Sequence, residues 1–124
     1  MKTIGIVGTR SRDSFEDYEL VCNKFKKVYN TIDDNETIRI CSGLCPKGGD
    51  KFAVRIANDL SLLTLWFPAE WDKYGKGAGF IRNTDIARES DILIACVASD
   101  RKGGTEDTIK KFIKFHREEN LYIV

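Results

Sequence analysis

Apolar and polar positions along the chain alternate between two kinds of segment. "KTIGIVGT" (2–9) is a short apolar run rich in β-branched residues and ending near glycine, the pattern of a buried strand. "TIRICSG" (37–43), "LLTLWF" (62–67), "DILIACVA" (91–98) and "LYIV" (121–124) repeat that pattern, and "DILIACVA" is the most apolar. Between these runs the apolar residues recur at helical spacing. Phe15, Tyr18, Val21, Cys22, Phe25 and Val28 mark a helix that Asp13 or Ser14 can cap. Phe52, Val54, Ile56 and Ala57 mark a second within 49–60, and "IRNTDIARES" reads as a third. Ile109, Phe112, Ile113 and His116 share one side of a fourth over 105–119.

Strands and helices therefore alternate throughout. This order predicts an α/β fold: a single Rossmann-like three-layer domain over 1–124, with a five-stranded, mostly parallel sheet and helices on both faces. The chain shows no internal repeat, low-complexity segment or interdomain linker. Its length is enough to bury a core without disulfides or metals.

Composition narrows the function. The formal net charge is only +1, so no overall field recruits nucleic acid or an acidic membrane surface, and any anion site must be local. No segment reads as a signal peptide and no apolar run approaches bilayer length, so the expectation is a cytoplasmic protein without a membrane partner. Cys22 and Cys96 fall in apolar helix and strand patterns. Cys41 and Cys45 form a C-x3-C pair, but the only histidine, His116, lies far along the chain and no second cysteine pair completes a ligand set. The four thiols are read as structural, with no metal and no cofactor.

In an open parallel sheet, ligands bind beyond the carboxyl ends of the strands, where strand order reverses. The four exits are "GTRSRD" (8–13), "SGLCPKGGD" (42–50), "FPAEWDKYGKGAGFIRN" (67–83) and "ASDRKGGTED" (98–107). All carry glycine, hydroxyl or basic groups. Glycine lets backbone approach an anion, and amides at a following helix start point toward it. Any one such loop could be a tight turn and nothing more, but four at one sheet edge suit a nucleotide-sized ligand. The dinucleotide fingerprint G-x-G-x-x-G is absent after the first strand and no G-K-[ST] occurs, which argues against nicotinamide redox chemistry and ATP hydrolysis. A lone histidine on the apolar side of a helix supports no Ser-His-Asp set. His116 reads as a helix-end residue near the last carbonyls.

Taken in order, "GTRSRD", "SG…KGGDKFA", "FPAEWDKYGKGAGFIRN" and "GGTEDTI" resemble the small single-domain SLOG proteins. These are Rossmann-like relatives of the cytokinin-activating phosphoribohydrolases and the DNA-processing protein A domain. The resemblance spans nearly the whole chain, and the W-D-x-Y-G-x-x-A-G-x-x-R-N string is its most specific part. It implies a nucleotide-derived small molecule held over the sheet edge between the first and fourth strands. Gly8, Thr9 and Arg10 would line the first loop, and Ser42 and Gly43 the second. Gly49 and Asp50 would open the second helix, with Asp50 facing a ribose hydroxyl or complementing the helix start. Arg82 and Asn83 match a helix start that carries a catalytic arginine in the hydrolytic relatives. Gly103, Gly104 and Thr105 match a phosphate-binding turn, and Trp71 and Tyr74 would wall the base or ribose.

The chain also departs from that pattern. Where the hydrolytic relatives read P-G-G-x-G-T-x-x-E, it reads "DRKGGTEDT", without the proline and with Thr108 where the glutamate aligns. Glu106 and Asp107 stand nearby but shifted. In the second loop, Leu44 replaces a usual glycine and "CPK" adds length. The leading expectation is a binding protein that senses or sequesters a nucleotide-derived signal, ADP-ribose-like or a cyclic nucleotide. Such a role would serve a phage or mobile element opposing nucleotide-signalled defence. The alternative is a nucleoside-monophosphate N-glycosidase using Arg82 with Glu106 or Asp107. Single-stranded DNA binding fits poorly with the near-neutral charge. A homo-oligomer is expected, with Phe80, Ile81, Phe112 and Phe115 as candidate interface residues.

Overall fold

The computed structural model describes residues 1–124. Five strands form one sheet: β1 (Lys2–Gly8), β2 (Ile38–Ser42), β3 (Leu63–Trp66), β4 (Ile92–Cys96) and β5 (Leu121–Ile123). All neighbours pair in parallel, in the order β3-β2-β1-β4-β5. The helices are α1 (Phe15–Thr31), α2 (Gly49–Asp59), the single turn α3 (Trp71–Tyr74), α4 (Ala78–Glu89) and α5 (Gly104–Phe115). This is the Rossmann-like three-layer α/β architecture that the alternating pattern predicts.

Period-two alternation sorts the strand side chains into two cores. Ile4 and Ile6 of β1, Ile38 and Ile40 of β2, and Ile94 and Cys96 of β4 point to one face, against Val21, Phe25 and Val28 of α1 and Phe52, Ala53 and Ile56 of α2. Val7, Cys41, Leu93 and Ala95 point the other way, against Ile86 and Ala87 of α4 and Ile109 and Phe112 of α5. Both helix pairs thus cover the central strands. The chain changes faces between α2 and α4, and the sheet order reverses at the β1–β4 junction.

Local chemistry sets the helix starts. Ser14 caps α1 in a reciprocal box: its Oγ accepts the Asp17 N–H at 3.1 Å, and Asp17 Oδ2 accepts the Ser14 N–H at 3.3 Å. No helix is long and apolar enough to cross a membrane. All four cysteines are free, and burial pushes the Cys41 thiol up to about 12 despite the opposing influence of the Ser90 hydroxyl.

Several boundaries differ from the sequence reading. The stretch after β3 forms α3 and a 3-10 turn (Gly75–Gly77), and α4 begins at Ala78, ahead of "IRNTDIARES". Helix α5 stops at Phe115 because His116 is extended, placing its Nε2 3.1 Å from the Arg88 carbonyl at the end of α4. β3 is an edge strand and Leu63 is exposed, so its apolar run does not make it a core strand. Ile113 is exposed as well, while Phe112 is fully buried and belongs to the core, not to an outer face.

Candidate functional site

The exits of β1, β2 and β4 converge because α2 starts almost on top of β1. A Cβ on Gly49 would overlap the Val7 carbonyl and the Gly8 nitrogen, so only glycine allows this approach. Thr9 N–H donates to the Cys96 carbonyl at 2.9 Å, tying the β1 exit to β4. Between these ends lies a cavity of about 330 Å3. It sits at the strand-order reversal, where open α/β sheets bind ligands.

Asp50, in the first turn of α2, is the cavity's one carboxylate. It is only 6% exposed, and Cys45 N–H donates to its Oδ2 at 3.0 Å. The Ser42 hydroxyl stands 2.9 Å from Asp50 Oδ1 and also reaches the Ile6 carbonyl. Its single proton can serve only one of them. Burial pushes the Asp50 carboxyl above its ordinary value, against the Cys45 and Ser42 hydrogen bonds and the charges of Arg82 and Arg10.

Arg82 comes from the opposite face of the sheet, on α4. Its Nη1 donates to the Gly43 carbonyl at 3.0 Å and lies 3.9 Å from Asp50 Oδ2, while Nε donates to Asn83 Oδ1 at 3.1 Å. No hydrogen bond occupies Nη2. Asn83 in turn donates from Nδ2 to the Gly104 carbonyl and to Asp107 Oδ2, both at 3.2 Å. This chain of bonds fixes α4 to the start of α5. Gly103, with φ of 109°, makes the left-handed turn that lets α5 begin there.

Of the residues expected to bind ligand, Gly8, Thr9, Arg10, Asp50, Arg82, Asn83, Gly104 and Thr105 line this one cavity. Ser42, Gly43 and Gly49 stand behind it as supports for Asp50, Arg82 and the α2 start, and Gly103 precedes the lining residues of α5. Trp71 and Tyr74 are apart from it. Both are exposed, and Tyr74 borders a small hollow of about 70 Å3 with Phe67, Pro68 and Ile81, on the other side of Arg82. Glu106 is engaged by Arg101 through two bonds of 2.9 and 3.0 Å. Asp107 accepts from Lys111 at 2.8 Å as well as from Asn83. Neither carboxylate lines the cavity.

Val7, Cys45, Ile86 and Thr108, none of which the sequence marks as ligand-binding, also line it, as does Lys102, one of several basic residues that the sequence leaves divided between phosphate contact and solvent. Helical spacing could have found two of them: Thr108 follows Gly104 by one turn and Ile86 follows Arg82 likewise. Cys45 carries no such signal, because an irregular turn positions it. No group of three or more His, Cys, Asp or Glu side chains stands where it could hold a metal ion.

The lining is chemically one-sided. Arg10, Arg82 and Lys102 oppose the single carboxylate Asp50, and Gly104 and Thr105 at the start of α5, with Thr108 one turn on, border the same space. Such a set can hold a phosphate-like anion beside a polar sugar. Comparison with protein-family models, curated proteins and solved structures finds no match for the chain.

Proposed function

We propose that this protein binds a nucleotide-derived small molecule, ADP-ribose-like or a cyclic nucleotide, as a sensor or sequestering protein of the SLOG type. The observation that carries this reading is the cavity at the β1–β4 junction, where three cations face one carboxylate beside the start of α5. The carboxylates a glycosidase would need support binding over cleavage: Glu106 is held by Arg101, and Asp107 by Lys111 and Asn83. Thr108, at the position of the relatives' glutamate, can neither stabilise an oxocarbenium centre by charge nor act as a general base at neutral pH.

Native mass spectrometry of the purified protein, with any released ligand identified by mass, tests the reading. A phosphorylated nucleoside derivative is expected. Replacing Arg82 with alanine removes a charge-assisted contact typically worth about 1.5–3 kcal/mol, so affinity should fall roughly ten- to a hundredfold while the fold survives. Release of free nucleobase by the unmodified protein, lost in Glu106→Gln or Asp107→Asn, would establish the N-glycosidase instead.

The same proposal includes a homo-oligomer. Phe80, Ile81 and Phe115 remain exposed on α4 and α5 and are the interface candidates once Phe112 is assigned to the core. A monomer mass by light scattering at micromolar concentration would exclude it.

A further inference from the structure

The turn between β2 and α2 holds Leu44 in an unusual state. Its φ is 59°, in the left-handed region that L side chains rarely adopt, and its side chain is 40% exposed. Backbone strain and exposed apolar surface coincide on one residue, although glycine would relieve both. With Pro46 and half-buried Val54, Leu44 borders a second hollow of about 410 Å3 beside α2. Arg55 and the exposed Asn58 edge it. The Arg55 guanidinium carbon lies 4.2 Å from the centroid of the Tyr18 ring, and its Nε lies 3.8 Å from Oδ2 of Asp59, which lines the hollow together with Lys51.

Cys45 borders both this hollow and the cationic cavity, so the two adjoin across a single residue. The cavity alone lies near the lower end of ligand-pocket volumes, which run from about 300 to 1,000 Å3. That is room for a phosphorylated sugar, with the remainder of a larger ligand extending outward. A nucleobase has the chemistry that fits the neighbouring hollow: flat faces suited to aliphatic side chains, and polar edges suited to an amide and a guanidinium.

We propose that the Leu44–Pro46–Val54 hollow is a base subsite, so that the ligand is a nucleotide lying across Cys45. Its phosphate lies among Arg10, Arg82 and the start of α5, and its base rests on Leu44. This rests on the anion-binding reading of the cavity and adds the side on which the base is recognised.

Titration calorimetry with ribose 5-phosphate and with AMP, GMP, CMP and UMP tests it, using the full chain and Leu44→Gly. At least one nucleotide should bind ten or more times more tightly than ribose 5-phosphate. Leu44→Gly should bring that nucleotide to within about threefold of ribose 5-phosphate, whose own affinity stays unchanged. Glycine suits the backbone at this position, so the variant should melt no lower than the parent. Equal binding of ribose 5-phosphate and all four nucleotides would overturn the base subsite and leave the anion site standing. Retention of the nucleotide preference in Leu44→Gly would do the same. Binding of none of the five compounds would overturn both.

Discussion

Arg82 and Trp71 belong to one continuous stretch of sequence, yet the fold places them in different physical settings. Arg82 is held by Gly43 of the loop after β2, Asp50 of α2 and Asn83 of its own helix. Trp71 is 55% exposed on a single helical turn. Across the cavity, the β1 exit resembles Arg82 in being tied down. Arg12 donates from Nε to Asp17 Oδ1 at 2.9 Å and from Nη1 to the Val97 carbonyl at 3.2 Å. Polar groups fixed from several elements keep their direction before ligand arrives, whereas an exposed aromatic turn has no such constraint. A residue-type pattern alone does not separate the two.

The contrast can be broken most severely at Gly49. Gly49→Ala would drive a methyl into the Val7 carbonyl and the Gly8 nitrogen, both backbone. The expected cost is at least about 3 kcal/mol, a large part of a domain's total stability. Chemical denaturation measures it, and a parent-like midpoint would show that the α2–β1 approach is loose.

A smaller effect is expected at Asp17, on the anchored side. Burial raises its carboxyl, but hydrogen bonds from Ser14 and Arg12 outweigh this and hold it below 3.8. A depressed folded value contributes stability above the unfolded value, and that stability is lost as pH falls through the folded one. Asp17→Asn should therefore cost about 1–2 kcal/mol near neutrality and flatten the loss of melting temperature below about pH 3.8. Parallel pH curves for parent and variant would exclude the anchor.

On the exposed stretch the signs and sizes change. Gly79 lies inside α4, and a methyl there would meet only the Trp71 ring at 3.5 Å and Arg82 at 4.0 Å. Gly79→Ala should raise stability by up to about 1 kcal/mol, read as a higher denaturation midpoint. A clear loss would show that the turn around Trp71 packs more tightly than its exposure indicates. Trp71→Ala should change stability least, by within about 0.5 kcal/mol. If nucleotide affinity nevertheless falls tenfold in this variant, the turn closes over the ligand and the contrast with Arg82 disappears.

The amino-acid pattern by itself determined the layers. Continuous β-branched runs and helical spacing are local properties, so β1, β2, β4, α1 and α2 are legible from "KTIGIVGT" onward, and their alternation implies parallel pairing. It also pointed to the residues at strand exits, because Gly8–Arg10 and Gly104–Thr105 lie where the chain leaves one element for the next. Tertiary structure alone decided which of the candidates face one cavity. Glu106 and Asp107 sit one and two residues beyond Thr105, and helical geometry turns them to Arg101 and Lys111, while Thr108 comes back to the cavity. Phe112 and Phe115 look alike in sequence, but only the first meets the sheet. Asp50 and Arg82 come together from opposite faces because the strand order reverses between β1 and β4, a long-range pairing that no local spacing encodes.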